Sequence, residues 1–200
     1  MKKTILLGVL MLSAATGFAQ ESRQDVSFSG TGIFGPTIHA PGAVVASSTP
    51  AAGILTSYRY MLTPHSALEV NYSFVQNSQQ YVVQNAYNYL IHSREQEITG
   101  AYIFGMTFKR YNPFLEAGVG TLFFTPILDS GTTHLEVNKS TKEVTGLFGG
   151  GLAYELSPSF DIRVEYRGFL LKTPSFGQPD LVTNRYEVLS MPTLGVAYHF

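Results

Sequence analysis

The stretch FDIRVEYRGFL, Phe160 to Leu170, alternates apolar and charged side chains with a period of two. One parity carries Ile162, Val164 and Tyr166, and the other carries Asp161, Arg163, Glu165 and Arg167. Successive side chains of a β-strand point to opposite faces, so the pattern predicts a strand with one apolar and one charged face. The fold depends on which of these two faces meets water.

The same alternation recurs in seven other segments, which together predict eight strands. These are Val26–Phe34, Gly53–Leu62, Ala67–Phe74, Glu97–Phe108, Phe114–Phe123, Thr145–Leu156 and Leu194–Phe200. The connections alternate between short turns (63–66, 109–113 and 157–159) and long polar stretches (35–52, 75–96, 125–143 and 171–186). Short and long connections in alternation predict an antiparallel up-and-down meander with its long loops at one end.

Three features indicate that the apolar faces meet lipid. The opposite parity is largely Gly, Ala, Ser and Thr, whereas the interior of a soluble barrel requires bulky apolar side chains. The chain has 12 Tyr and 14 Phe, and many lie on the apolar parity near strand ends, as in the aromatic girdles of outer-membrane barrels. The strand cores run to about 9–11 residues, the length of a tilted membrane-spanning strand. The predicted fold is all-β, an eight-stranded antiparallel up-and-down transmembrane β-barrel.

Charged residues on the non-lipid parity are expected to meet inside this barrel as an ion-pair network. The predicted members are Arg59, Glu69, Glu97, Glu116, Arg163, Glu165 and Arg167. Buried charges require partners of opposite sign, so we expect these side chains to close the lumen and leave no open pore. Pro192 cannot donate to a sheet ladder, and we expect it where the ladder of the last strand thins out.

The first residues, MKKTILLGVLMLSAATGFAQ, have two lysines, an apolar run and small residues before Ala19. This pattern predicts a signal peptide at 1–19 and a barrel domain at 20–200. The chain contains no cysteine, which excludes disulfides and thiolate metal sites. Its formal net charge is −1, without a basic patch that would favour nucleic acid, and we expect no cofactor.

The final segment, GVAYHF, ends on an aromatic residue in mid-strand. In this respect the chain resembles the small eight-stranded outer-membrane proteins of Gram-negative bacteria, the OmpA membrane domain, OmpX and opacity-protein group. The resemblance implies a place in the outer membrane, with lipids and lipopolysaccharide as neighbours. It also implies that the assembly machinery reads the last strand through Leu194, Val196, Tyr198 and Phe200.

The same group includes enzymes that modify lipid A, which makes His, Ser and acid clusters the candidates for catalysis. Two occur: His92, Ser93 and Glu95, and His65, Ser66 and Glu69. Adjacent strand residues face opposite ways, and the second cluster lies in a turn, so we expect no enzyme. The remaining histidines, His39, His134 and His199, have no partners at metal-ligand spacing, so we expect no metal site.

The long connections are the remaining place for function. The second is rich in Gln, Asn and Tyr, and its Tyr81, Tyr87 and Tyr89 are candidate contacts for an extracellular ligand or surface. Val82 and Val83 in the same stretch would allow the strands to extend into a protruding ribbon. The sequence favours a structural or surface-interaction role, with a lipid A-modifying enzyme and a narrow channel as the alternatives.

Overall fold

The computed structural model describes residues 23–40, 44–83, 87–127, 140–176, 182–183 and 185–200, which form ten β-strands. The predicted signal peptide at 1–19 lies outside these residues. The strands are β1 (Gln24–Ile33), β2 (Ile38–Ala40), β3 (Val44–Ser48), β4 (Ala51–Thr63), β5 (Ser66–Val83), β6 (Tyr87–Gly105), β7 (Tyr111–Pro126), β8 (Thr141–Ser157), β9 (Phe160–Lys172) and β10 (Tyr186–His199). The described part of the chain contains no helix, and therefore no helix that could span a membrane.

Eight of these strands close into an antiparallel barrel, as the sequence predicts. β1 and β4 to β10 pair with their neighbours in chain order, and β5 also pairs with β6. β10 then returns to β1, with Phe28 opposite Val196, which joins the two ends of the sheet. Closure leaves the wall of the barrel without a free edge.

The outward parity of the wall is apolar and exposed. Leu115, Val119 and Val144 are 67%, 70% and 79% exposed, which a water-facing sheet would not sustain over its whole surface. On β5 this apolar band covers residues 68–74, and on β6 it covers residues 98–104. Towards the extended end the next outward side chains are polar, Gln76, Ser78 and Gln80 on β5 and Gln96, Arg94 and His92 on β6, so the band marks the height of the membrane on the wall.

The two ends of the barrel differ. The turn end carries tight connections at residues 64–65, 109–110 and 158–159, where the sequence predicts short turns. At the opposite, extended end, β5 and β6 stay paired out to Val83 and Tyr87. β3 pairs with the outer part of β5, and β2 pairs with β3. We call β2, β3 and the parts of β5 and β6 beyond the apolar band the outer sheet.

The outer sheet corrects part of the sequence prediction, because stretches 35–52 and 75–96 are not loops but largely strand. Gln, Asn and Ser suggest a loop by composition. Here the polar run at 76–80 forms a ladder because the paired strands below it set the register. The protruding ribbon that Val82 and Val83 suggest is confirmed in the backbone.

Pro192 lies opposite Tyr166 of β9. The β1–β10 ladder ends one residue away, at Thr31 and Thr193. The missing N–H of Pro192 therefore falls where that ladder is interrupted. β10 continues past Pro192 to Tyr186 and stays paired with β9, and Phe34 pairs with Ser190, so the prediction that the last strand thins out at Pro192 holds only on the side that faces β1.

Candidate functional site

The centre of the lumen is an ion cluster around Arg167, which is fully buried. Its Nη1 and Nη2 donate to the two carboxylate oxygens of Glu97 at 3.0 and 2.7 Å, a bidentate pair. Its Nε lies 3.5 Å from Glu116, and Glu165 is 4.0 Å away. One guanidinium thus hydrogen-bonds the carboxylate of β6 and lies within ion-pair distance of two more, from β7 and β9.

Two further ion pairs lie nearer the turn end. Arg59 Nη2 is 2.6 Å from Glu69, and Arg163 Nη2 donates to Asp25 at 2.7 Å. The structure therefore places all seven predicted lumen charges inside the barrel, within ion-pair distance of an opposite charge. Asp25 is a member that the prediction missed, although it lies on the same parity as the buried residues of β1.

Glycines on the inward face make room for this cluster. A Cβ at Gly149 would collide with the carbonyl oxygen of Tyr166 and meet the carboxylate of Glu116 at 2.5 Å. A side chain at this position would therefore push against the wall and against a cluster member. The absence of a side chain at Gly149 therefore makes room for the ion cluster, as expected for a narrow lumen.

Buried apolar side chains form a layer in the extended half of the lumen, which was not predicted, and inward polar side chains such as Asn77, Ser93 and Glu95 lie at the same end. The members of this apolar layer are Ile33, Leu55, Val75, Leu122, Phe124, Leu147, Phe169, Leu171, Leu189 and Met191. The ring of Phe169 lies 5.1 Å from the guanidinium of Arg167 and separates the two layers. The available signal was that FF at 123–124 and FLL at 169–171 are apolar on both parities.

An aromatic cap closes the extended end of this apolar layer. Phe176, from the β9–β10 connection, is 1% exposed, and its ring lies 6.4 Å from both Tyr81 and Phe124 in edge-on contact. Tyr81 donates from its hydroxyl to the carbonyl of Pro174 at 2.9 Å. Phe176 has a φ of 50°, a conformation that costs a residue with a side chain some energy.

The placement of Tyr81 differs from the predicted one. The side chain is 1% exposed and packs inside the barrel, so it does not offer its ring to a surface partner. The side chains of Tyr87 and Tyr89 lie outside the described residues.

The first catalytic candidate is divided between the two faces of β6. Ser93 donates to Asn77 inside the barrel, and Glu95 is also buried there. His92 faces outward, where its Nδ1 lies 2.6 Å from Ser78 across the ladder. Burial raises the pKa of Glu95, which lies beyond the apolar band of β6, to about 7.

The second catalytic candidate is likewise not assembled. Ser66 bonds Thr63 at 2.7 Å within the turn, and Glu69 is paired with Arg59. Within the described residues, no three His, Cys, Asp or Glu side chains converge to hold a metal ion. His39 is exposed, His199 bonds Asp161 at 2.8 Å, and His134 lies outside the described residues.

A vestibule with both apolar and charged lining opens at the turn end, with a cavity of about 270 Å³. Arg59, Arg163, Asp161 and His199 line it. It ends at the ion pairs, so the cavity does not continue into the apolar layer. Asp161 is a second lumen carboxylate that the sequence prediction of the network omitted.

The C-terminal strand closes the barrel. Leu194, Val196 and Tyr198 are outward and exposed, and they pair with β9 on one side and with β1 on the other. The ring of Phe200 stacks on Tyr198 at 6.1 Å. The four residues of the predicted assembly signal therefore form one outward row at the turn end.

Comparison with known proteins gives a family match over nearly the whole chain. The model of the family described as "Outer membrane protein beta-barrel domain" matches residues 4–200. No curated protein sequence matches the chain.

Solved structures give the same architecture. Neisserial surface protein A is 15% identical, with 90% of this chain and 98% of that chain covered and a TM-score of 0.62. OprG from Pseudomonas aeruginosa is 12% identical, with coverages of 90% and 97% and a TM-score of 0.64. Ail of Yersinia pestis, solved in complex with the heparin analogue sucrose octasulfate, is 12% identical, with coverages of 88% and 96% and a TM-score of 0.50. At these identities the likeness is one of fold.

Proposed function

The chain belongs to the family of outer membrane protein β-barrel domains, and on that premise we propose that it is a closed structural barrel that contacts extracellular surfaces through its outer sheet. The turn end would face the periplasm and the extended end the exterior. In this orientation the outer sheet projects from the cell, as long loops do in barrels of this type.

The outer sheet is the observation that carries the proposal. Its strands are held by continuous ladders, with Val82 opposite Asn88 and Ala46 opposite Tyr81. A surface built from paired strands has little conformational entropy to lose on contact with a partner. Its outward row includes Gln76, Ser78 and Gln80, which give the outer sheet a polar face suited to contact with polar surfaces such as glycans.

The filled interior supports a structural role over transport. The ion cluster occupies the centre of the lumen, and the apolar layer and the aromatic cap fill the lumen between this cluster and the extended end. A continuous water path would have to cross both layers. In planar bilayers we expect no discrete conductance steps, and stable steps from purified protein would favour the narrow channel.

The enzyme alternative lacks support from its two candidate clusters, because neither brings its His, Ser and acid together. The test is mass spectrometry of lipid A from an outer-membrane host with and without the protein. We expect an unchanged spectrum. A lost or gained acyl chain would make the protein an enzyme.

The surface role is tested by shortening the outer sheet. Gln79 and Ile91 are opposite each other in the β5–β6 ladder, so residues 80–90 can be replaced by Asn-Gly, a two-residue hairpin turn. The matched control replaces Pro64 and His65 by Asn-Gly at the other end of the barrel. Both variants keep the ladders that close the wall.

Host cells that display each variant are tested for adhesion to cultured cells and to an immobilised sulfated polysaccharide. The second surface is chosen because Ail was solved with a heparin analogue. We expect the shortened outer sheet to lose adhesion and the control to retain it, at equal amounts in the outer membrane. Equal adhesion of all three proteins would contradict the surface role.

A further inference from the structure

Acidic and basic side chains are divided between the two faces of the barrel wall. Every Asp and Glu in the described strands lies on the inward parity: Asp25, Glu69, Glu95, Glu97, Glu116, Glu143, Glu155, Asp161, Glu165 and Glu187. Among the same strands, the charged side chains on the outward parity are Arg94, Lys142 and Lys172. The outer wall of the described barrel therefore carries cations and no carboxylate.

These three cations, which we call the basic belt, lie where the apolar band ends on the extended side. Lys142 is followed on its face of β8 by Val144, and Lys172 comes after Leu170 on β9; both apolar side chains are exposed. Arg94 precedes Ile98 on the same face of β6, with Gln96 between them. The belt thus follows the rim of the band across the wall from β6 to β9.

The belt residues are exposed and lack outward ion-pair partners among the described residues. The Nζ of Lys142 lies 5.4 Å from the ring of Phe123, which holds the amine beside the wall. Arg94 has Gln76 and Thr125 as its neighbours across the ladders. Glu143 interacts electrostatically with Lys172, but it lies on the inward parity of β8. A negatively charged partner for the basic belt must therefore come from outside the barrel wall.

We propose that the basic belt binds the phosphate groups of lipid A in the leaflet around the extended end. The assignment rests on the orientation in the proposed function, since that leaflet contains lipopolysaccharide. Lipid phosphates lie directly beyond the acyl chains, so one molecule can contact Val144 or Leu170 with a chain and the belt with a phosphate. Guanidinium and ammonium groups form charge-assisted hydrogen bonds with phosphate, and a rim of like charge suits a row of such headgroups.

The test measures the unfolding of the purified full chain in vesicles. Four lipid compositions are used: phosphatidylcholine alone, or phosphatidylcholine with lipid A, with enzymatically dephosphorylated lipid A, or with phosphatidylglycerol. The belt variant carries Arg94→Gln, Lys142→Gln and Lys172→Gln, and each single change is also made. The matched control carries Arg23→Gln, Lys109→Gln and Arg110→Gln, three exposed cations at the turn end.

We expect lipid A to raise the urea midpoint of the wild type and of the control well above the value in phosphatidylcholine. The belt variant should lose most of this rise, and each single variant should lose part of it. An attraction of about 1 kcal/mol per cation corresponds to roughly a fivefold change in the unfolding equilibrium for each residue. Dephosphorylated lipid A should give a smaller rise, which the belt variant retains. Phosphatidylglycerol should also give a smaller rise than lipid A, and the belt variant should lose part of it, because this lipid carries a single phosphate.

An equal response of the wild type and the belt variant to lipid A would overturn the proposal. So would dephosphorylated lipid A or phosphatidylglycerol acting as strongly as lipid A. The adhesion assay tests the surface role independently, because its variants keep all three residues of the basic belt.

Discussion

Replacing Arg167 with Met should be among the most destabilising changes in this barrel. The guanidinium is fully buried, forms two hydrogen bonds with Glu97 and lies within 3.5 Å of Glu116. Met fills a similar volume but leaves the three carboxylates of the cluster without their central cation. Removing one partner of a buried ion pair costs about 3–5 kcal/mol, and three carboxylates place the expected loss at the upper end of that range.

The measurement is urea unfolding in phosphatidylcholine vesicles, followed by the different gel mobility of folded and unfolded barrels. Arg110→Met, at an exposed turn position, is the matched control and should change stability by less than about 0.5 kcal/mol. Adding Glu97→Gln to Arg167→Met should recover part of the loss, because it removes one of the unpaired charges. A loss in Arg167→Met no larger than in the control would refute the reasoning from the buried cluster.

Other changes test the cap, the buried acid and the last strand. Burial raises the pKa of Glu95 to about 7 from an ordinary value of 4.5. The folded chain therefore binds this proton more tightly than the unfolded chain, and stability falls as pH rises through this interval. Glu95→Gln should be more stable than the wild type by about 3 kcal/mol at pH 8 and similar to it at pH 4, whereas parallel pH profiles would contradict the assignment. Tyr81→Phe should lower the free energy of unfolding by about 1 kcal/mol, because the carbonyl of Pro174 loses its donor; an unchanged urea midpoint would argue against that bond. Phe200→Asp should reduce the amount of barrel in the outer membrane of cells while purified protein still refolds in vesicles, and unchanged cellular amounts would count against an assembly role.

Alternation was sufficient to predict the eight strands of the wall and the inward position of the charges. A period of two fixes which residues share a face, and the cost of a charge in lipid determines which face turns inward. Arg163 and Arg167 could therefore be assigned to the lumen from FDIRVEYRGFL alone. The pairing of Arg167 with Glu97 on β6 could not be predicted from the sequence, because it depends on which strands face each other across the closed barrel.

The features that sequence analysis missed depend on contacts between distant segments. Tyr81 is buried because Phe176 arrives from another connection and packs against it, and no local pattern signals such a contact. The outer sheet was hidden by composition, since its Gln and Ser residues are typical of loops. The apolar layer had a readable signal in the runs at 123–124 and 169–171, where both parities are apolar.

The lumen contacts also bear on how the chain assembles. Asp25 of β1 pairs with Arg163 of β9, 138 positions away, and Arg167 pairs with Glu97, 70 positions away. A partly inserted sheet would hold these charges in hydrocarbon without counterions, which is strongly unfavourable. Intermediates with some strands inserted and others absent should therefore be sparsely populated, so that insertion and closure occur as one cooperative step.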